Sequence, residues 1–149
     1  MSGRNSSSQC PTPNYRSGSR VTSLLLDTHA FLWWLAGDAA LSRKARAAIE
    51  SAPDAVYVSA ASIWEIAIKH RSGKLPGVSA IIADVAGVMR SQRLLELPIS
   101  IRHAKAAGSL PGPHRDPFDR MLIAQALIED LGLVSNAHAF DAYGARRIW

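Results

Sequence analysis

The sequence predicts an α/β fold, a three-layer sandwich with a short parallel sheet flanked by helices. Three observations carry that expectation. Along residues 21–149, short apolar runs of strand length alternate with longer helix-patterned segments, and strands separated by helices pair in parallel through helical crossovers. The first run, Leu24-Leu25-Leu26, shows no polar alternation, as a strand covered on both faces requires. The chain has 149 residues, 48% of them hydrophobic and 19% charged, which suffices for one packed core.

The elements follow in order. Residues 23–27 form the first strand. Residues 30–36 have helical character and stop at Gly37. Ser42 caps a helix that runs to about residue 52, and Pro53-Asp54 is a turn. Residues 55–59, rich in β-branched and aromatic side chains, form the second strand. Residues 61–71 form a helix with Gly73 just past its end. Residues 79–92 read as one helix, with Ile81, Ile82, Val85, Val88 and Met89 on one stripe. Residues 94–97 form a third strand closed by Pro98, residues 101–108 a short helix, and residues 110–115 a loop. Residues 117–131 form the clearest helix, followed by Gly132. Residues 133–135 and 147–149 are two more short strands, with a turn or helix at 140–143 between them.

Residues 1–20 are dominated by Ser, Pro, Gly, Asn and Arg. Such a segment buries too little apolar surface to offset its ordering entropy, so a disordered tail is expected there and a folded domain over residues 21–149. One further expectation is that translation naturally starts at Val21. The single cysteine, Cys10, excludes a disulfide scaffold, and no apolar run approaches the ~20 residues of a spanning helix. A cytoplasmic protein is expected. The net charge is +5, but three of the 17 basic residues and none of the 12 acids lie in residues 1–20, so residues 21–149 carry only +2. Any polyanion partner must therefore be read from where the charges sit.

Four acids stand out. Asp27 ends the first strand, and in open parallel sheets sites form beyond the carboxyl ends of the strands; it serves equally as a cap for the helix after it. Glu65 lies in SIWEIAIK with apolar neighbours nearly all round, and glutamate is seldom buried without a partner. A capping box with Ser62 explains it if the helix starts at Ser62, and fits poorly if Ser59 is the cap. Asp116 and Asp119 bracket Pro117 in HRDPFDRM. Cap, first-turn proline and dipole explain all three, yet two carboxylates three residues apart share a helix face. If these four acids converge, their charges repel, and a divalent cation bound by oxygen alone, Mg²⁺ or Mn²⁺, is the usual way such a cluster stays ionised. Zinc spacing, GxGxxG, a P-loop and a G-x-S-x-G elbow are all absent. LLLDTH is similar to the nucleophile strand of haloacid-dehalogenase phosphatases, but His29 stands where their second Asp is needed.

LLLDTHAFLWWL (24–35), SAASIWEIAIKHRSGKL (59–75), HRDPFDRMLIAQA (114–126) and LVSNAHAFDAYG (133–144) resemble, in order, the motifs of the PIN-domain family and within it the VapC-type toxins. The resemblance covers residues 22–149. It implies a PIN-like sandwich and a Mg²⁺-dependent endoribonuclease, with Mn²⁺ able to substitute. It also implies a VapB-like antitoxin partner, a homodimer and an RNA substrate, transfer or ribosomal RNA. Its catalytic and metal-binding acids fall on Asp27, Glu65 and the Asp116/Asp119 pair. One position departs: Ala137 stands where the family usually carries a fourth Asp or Asn, and neither Asn136 nor Asp141 is in register to replace it. A catalytically weakened or inactive PIN module that binds RNA or a protein is therefore the alternative reading.

Cations flank the acids. Lys69, Arg71 and Lys74 follow Glu65, and Arg115 and Arg120 flank the Asp116/Asp119 block. As a rim they would contact RNA phosphates; singly, each is an ordinary solvated side chain. Phe31, Trp33 and Trp34 are unusually aromatic for one helix. Core packing explains some of them, and a homodimer or antitoxin surface would explain the remainder.

Overall fold

The strand β1 (Ser23–Leu26) is the middle of a five-stranded, all-parallel sheet. The structure, a computed structural model, describes residues 21–149; the tail expected at residues 1–20 lies outside the described residues. The other strands are β2 (Ala55–Ser59), β3 (Leu95–Leu97), β4 (Gly132–Val134) and β5 (Arg147–Ile148), in the spatial order β3-β2-β1-β4-β5. The register pairs Leu24 with Val56 on one side and with Gly132 on the other.

The alternation of β1 sorts the core into two layers. Leu24 and Leu26 face a cluster that holds Phe31, Ala45, Ile49, Val58, Ile66 and Met89. Leu25 faces the opposite cluster, with Leu97, Leu122, Ile123, Leu133 and Phe140. Both faces of the strand are covered, so the predicted three-layer sandwich is observed. The first layer is supplied by α1 (Thr28–Ala36), α2 (Arg43–Ser51), α3 (Ala60–Arg71), α4 (Ser79–Ala83) and α5 (Val85–Ser91). The second is built on α7 (Pro117–Ile128), against which α6 (Ile101–Ser109) packs.

Local chemistry sets the helix starts. Ser42 accepts from the Ala45 amide at the head of α2, and Ser59 accepts from the Ala61 amide at the head of α3. The α6 start is a capping box in which Ser100 accepts from the His103 amide while His103 Nδ1 accepts from the Ser100 amide. At β4 the packing against Gly132 is tight, and a side chain there would make its neighbours shift. A Cβ on Gly132 would lie 2.7 Å from Val21 Cγ1 and 2.9 Å from Ile148 Cδ1.

The structure corrects three element boundaries. The single helix expected over 79–92 is two, because Asp84 leaves helical geometry (φ −150°, ψ 67°) and its carboxylate caps α5 at the Gly87 amide. Only Met89 of the expected stripe is fully buried. The helix expected over 117–131 ends at Ile128, since Asp130 adopts a left-handed turn (φ 55°) and the Leu131 amide returns to the Ala126 carbonyl. The turn or helix expected at 140–143 is a 3-10 helix that starts two residues earlier, spanning His138–Tyr143.

A buried polar chain ties α7 to β2 and to the head of α6. Gln125, fully buried, accepts from the Ser59 hydroxyl and donates to the Pro98 carbonyl at 3.2 Å. His103, whose Nδ1 is already an acceptor, donates from Nε2 to Glu129 at 2.8 Å. Replacing Gln125→Ala removes both bonds and leaves a void between layers, so folding stability should fall by about 2–3 kcal/mol. Urea unfolding of the two proteins measures this as a lower midpoint at unchanged slope.

Candidate active site

The carboxyl ends of β1, β2 and β4 point to one edge of the sheet, and chemistry-bearing residues gather there. Asp27 follows β1 directly, and its amide donates to the Val134 carbonyl of β4 at 3.0 Å. That bond continues the ladder by one residue and draws the side chain into the crevice, where Asp27 is 6% exposed. The carboxylate accepts from the Ala30 amide at 2.7 Å, so Asp27 does cap α1. It also takes the Ser135 hydroxyl from the end of β4. Burial pushes its pKa above the usual carboxylate value; those hydrogen bonds oppose the shift, and the charge of Glu65 adds to it.

Glu65 is not part of a capping box. The cap of α3 is Ser59, which places Glu65 in the second turn, pointing inward and 8% exposed. The Ser62 hydroxyl instead accepts from Thr28 at 3.1 Å and pins α1 to α3. Glu65 takes its charge partner from its own helix, Lys69 Nζ at 3.1 Å.

Asp116 caps α7 by accepting from the Asp119 amide at 3.0 Å, with Pro117 in the first turn. Asp116 itself is exposed. Asp119 is half-buried, and its Oδ2 lies 2.8 Å from His114 Nε2. Its pKa is raised, first by burial, with His114 opposing and Asp116 and Glu65 adding to the shift. Glu65 therefore acts on both Asp27 and Asp119, which puts the three acids of β1, α3 and α7 in one electrostatic neighbourhood.

Each of these acids nevertheless has its own partner. Asp27 is held by Ala30 and Ser135, Glu65 by Lys69, and Asp119 by His114. Among the described residues no three His, Cys, Asp or Glu side chains stand close enough to hold a metal ion as they are. The donor chemistry fits a hard divalent cation: oxygen donors only, two of them buried, with the charge of Glu65 pushing both Asp27 and Asp119 toward protonation.

The expected cation rim divides. Arg71, Lys74 and Arg115 are exposed, and Lys69 is engaged by Glu65. Arg120 does not join them, because its guanidinium donates to the carbonyls of Ala107, Leu110 and His114. It ties the loop before α7 to α6, and the three carbonyls consume the fork that a phosphate would need. Asp141 is likewise no substitute acid, being exposed and clamped by Arg147 at 2.8 and 3.1 Å; that bond holds its pKa below the usual value. Ala137 packs against the second core cluster, and its amide donates to Ser135 at 3.0 Å.

The aromatic run of α1 is mostly core. Phe31 is fully buried, while Trp33 and Trp34 are half-buried against the first cluster, Trp33 beside Trp149 at 5.7 Å between ring centroids. Exposed apolar side chains lie elsewhere, with Trp64 and Ile99 lining one groove. Residues missed by the sequence reading are Ser135 as a donor to Asp27 and His114 as the partner of Asp119. Neither contact has a local signature, because the first bridges two strands far apart in the chain and the second depends on how the loop before α7 folds back.

Residues 24–145 match the PIN domain family. Ribonuclease VapC22 of Mycobacterium tuberculosis is 30% identical over 117 residues, covering 77% of this chain and 87% of that protein. Ribonuclease VapC16 of the same organism is 40% identical over 73 residues, 49% of this chain, and the chain spans about half of that protein's length (49%). A toxin–antitoxin complex from Klebsiella pneumoniae contains a chain that superposes with a TM-score of 0.60 at 18% identity, over 85% of this chain and 96% of that one, a likeness of fold. The chain belongs to the PIN domain family, among its VapC-type toxins.

Proposed function

We propose that this protein is a Mg²⁺-dependent endoribonuclease toxin, held in check by a VapB-like antitoxin and acting on cytoplasmic RNA, with transfer or ribosomal RNA as the substrate class. The observation that carries the reading is the buried Asp27 carboxylate at the end of the central strand, sharing the charge of Glu65 with Asp119. Asp27, Glu65 and Asp119 would hold the cation, with Asp116 beside them at the head of α7. Bound there, Mg²⁺ or Mn²⁺ would supply a polarised phosphate and a water of lowered pKa. The chain's own residues do the remainder. Ala30 and Ser135 fix the orientation of the Asp27 carboxylate, and the Thr28–Ser62 bond holds the helices that carry the acids at a fixed separation. Arg71, Lys74 and Arg115, exposed near the acids in sequence, would grip flanking phosphates in a salt-dependent manner.

Ala137 favours a second reading, a weakened enzyme, because its methyl group offers no oxygen where the family carries one. The homodimer we place on the face of Trp64 and Ile99, which are 61% and 37% exposed and border an apolar groove of about 270 Å³ with Phe118 and Met121.

Purified antitoxin-free protein should cut total RNA with Mg²⁺ or Mn²⁺. Chelation by EDTA and Asp27→Asn should each reduce the rate by about 100-fold or more. If the protein is inert and Ala137→Asp alone restores cutting, the weakened-enzyme reading replaces the first. On the proposed dimer face, Trp64→Glu should convert a dimer to a monomer by sedimentation velocity while the protein stays folded. The pH dependence has a definite sign. A carboxylate whose folded pKa is raised binds more protons folded than unfolded, so its ionisation costs stability as pH rises from about 3.8 through the folded value. Asparagine caps as well as aspartate. Asp27→Asn should therefore raise the melting temperature of cation-free protein at pH 7, and the gain should vanish toward pH 3.

A further inference from the structure

We infer that Lys69 is a resident counter-ion that competes with the divalent cation for Glu65, and so limits how tightly the site binds metal. The inference rests on the cation site of the proposed nuclease. Lys69 and Glu65 are spaced i,i+4 with the acid on the N-terminal side, the favourable order on a helix. Their setting is not that of a surface pair. Glu65 is 8% exposed and its charge acts on Asp27 and Asp119, while the Lys69 side chain is 36% exposed and reaches it at 3.1 Å. In the cation-free protein the cation beside this buried carboxylate is the lysine.

Two consequences follow from charge alone. An incoming divalent ion must take the Glu65 oxygen from an ammonium group already bound to it. It must also approach a positive charge that stays within a side chain's length of the site. Both terms weaken metal binding and both disappear when the ammonium is removed. The apo protein gains in exchange, since the buried carboxylate has a bonded partner in the absence of metal. Asp119 likewise has a resident partner, His114 at 2.8 Å, and among the described residues the acids do not converge on a metal-holding group. Released from Glu65, the Lys69 ammonium is placed to meet a substrate phosphate, so one side chain would serve the empty site and the loaded one in turn.

The probe is Mn²⁺ alone, titrated into the full-length antitoxin-free chain by isothermal calorimetry and by the loss of its free-ion paramagnetic signal. Lys69→Met keeps the length of the side chain and removes its charge. It should bind Mn²⁺ about two- to five-fold more tightly than the parent, the range expected for losing a partly exposed pair. Lys69→Arg, which keeps the charge, should match the parent. In the absence of metal Lys69→Met should melt lower, and Mn²⁺ should raise its melting temperature by more than it raises the parent's. A lysine with a purely structural role would lower the melting temperature and leave the affinity unmoved. Unchanged or weaker Mn²⁺ binding by Lys69→Met overturns the competition while leaving the metal site standing. No Mn²⁺ binding by either protein overturns the metal site, and the competition with it.

Discussion

The arrangement of this protein depends on burying one carboxylate at the end of the central strand. The amide of Asp27 completes the ladder to Val134, so the residue cannot turn outward without breaking the sheet. Its charge must then be met inside the crevice, and the surrounding elements supply what is needed: the Ala30 amide from the helix that follows β1 and the Ser135 hydroxyl from the end of β4. These two groups are neutral, so they orient the carboxylate without cancelling its charge. An electrostatic demand is left over, and the composition of the site reflects it.

That demand explains why the acids here are accompanied rather than clustered. Three carboxylates on three elements can share one edge of a sheet only if something positive stands among them. Lys69 does so from within α3, and His114 hydrogen-bonds Asp119 from the loop before α7. The cost of keeping a reactive crevice is thereby spread over contacts that also support the fold. Arg120 belongs to the same economy in a different way. By satisfying the Ala107, Leu110 and His114 carbonyls it fixes the loop that delivers His114 to Asp119.

Much of this was legible in the sequence, and the reasons for the exceptions are physical. Unbroken Leu24-Leu25-Leu26 specified a strand buried on both faces, and it splits its side chains between two core layers. Ser42 and Asp116 marked helix starts that are where their side-chain chemistry puts them. Asp84 misled, because a short polar side chain within a helical stripe can cap a new helix as readily as it can sit on the solvent face. The individual acids were visible because each violates its local context. Their partners were not. Ser135, His114 and the carbonyl contacts of Arg120 arise from loop geometry and from strands distant in the chain, which a periodicity argument does not reach. Arg120 was misplaced on the rim for that reason, since nothing in HRDPFDRM distinguishes an arginine that faces solvent from one folded back on three carbonyls.

The fourth-acid position illustrates how packing and chemistry trade at one residue. Ala137 contributes its methyl group to the cluster of Leu25 and Phe140, and its amide to Ser135, the same hydroxyl that donates to Asp27. A carboxylate there would stand in the neighbourhood of a side chain whose pKa is already raised by burial and by Glu65. In the absence of a cation it would deepen the repulsion around Asp27, and the one guanidinium bonded to that segment of backbone, Arg147 on the Ser135 carbonyl at 3.1 Å, is already engaged by Asp141. Alanine removes the repulsion and the oxygen together. The stability of the empty crevice and its capacity to hold a cation therefore pull this position in opposite directions, and the residue present is the one that favours the empty crevice.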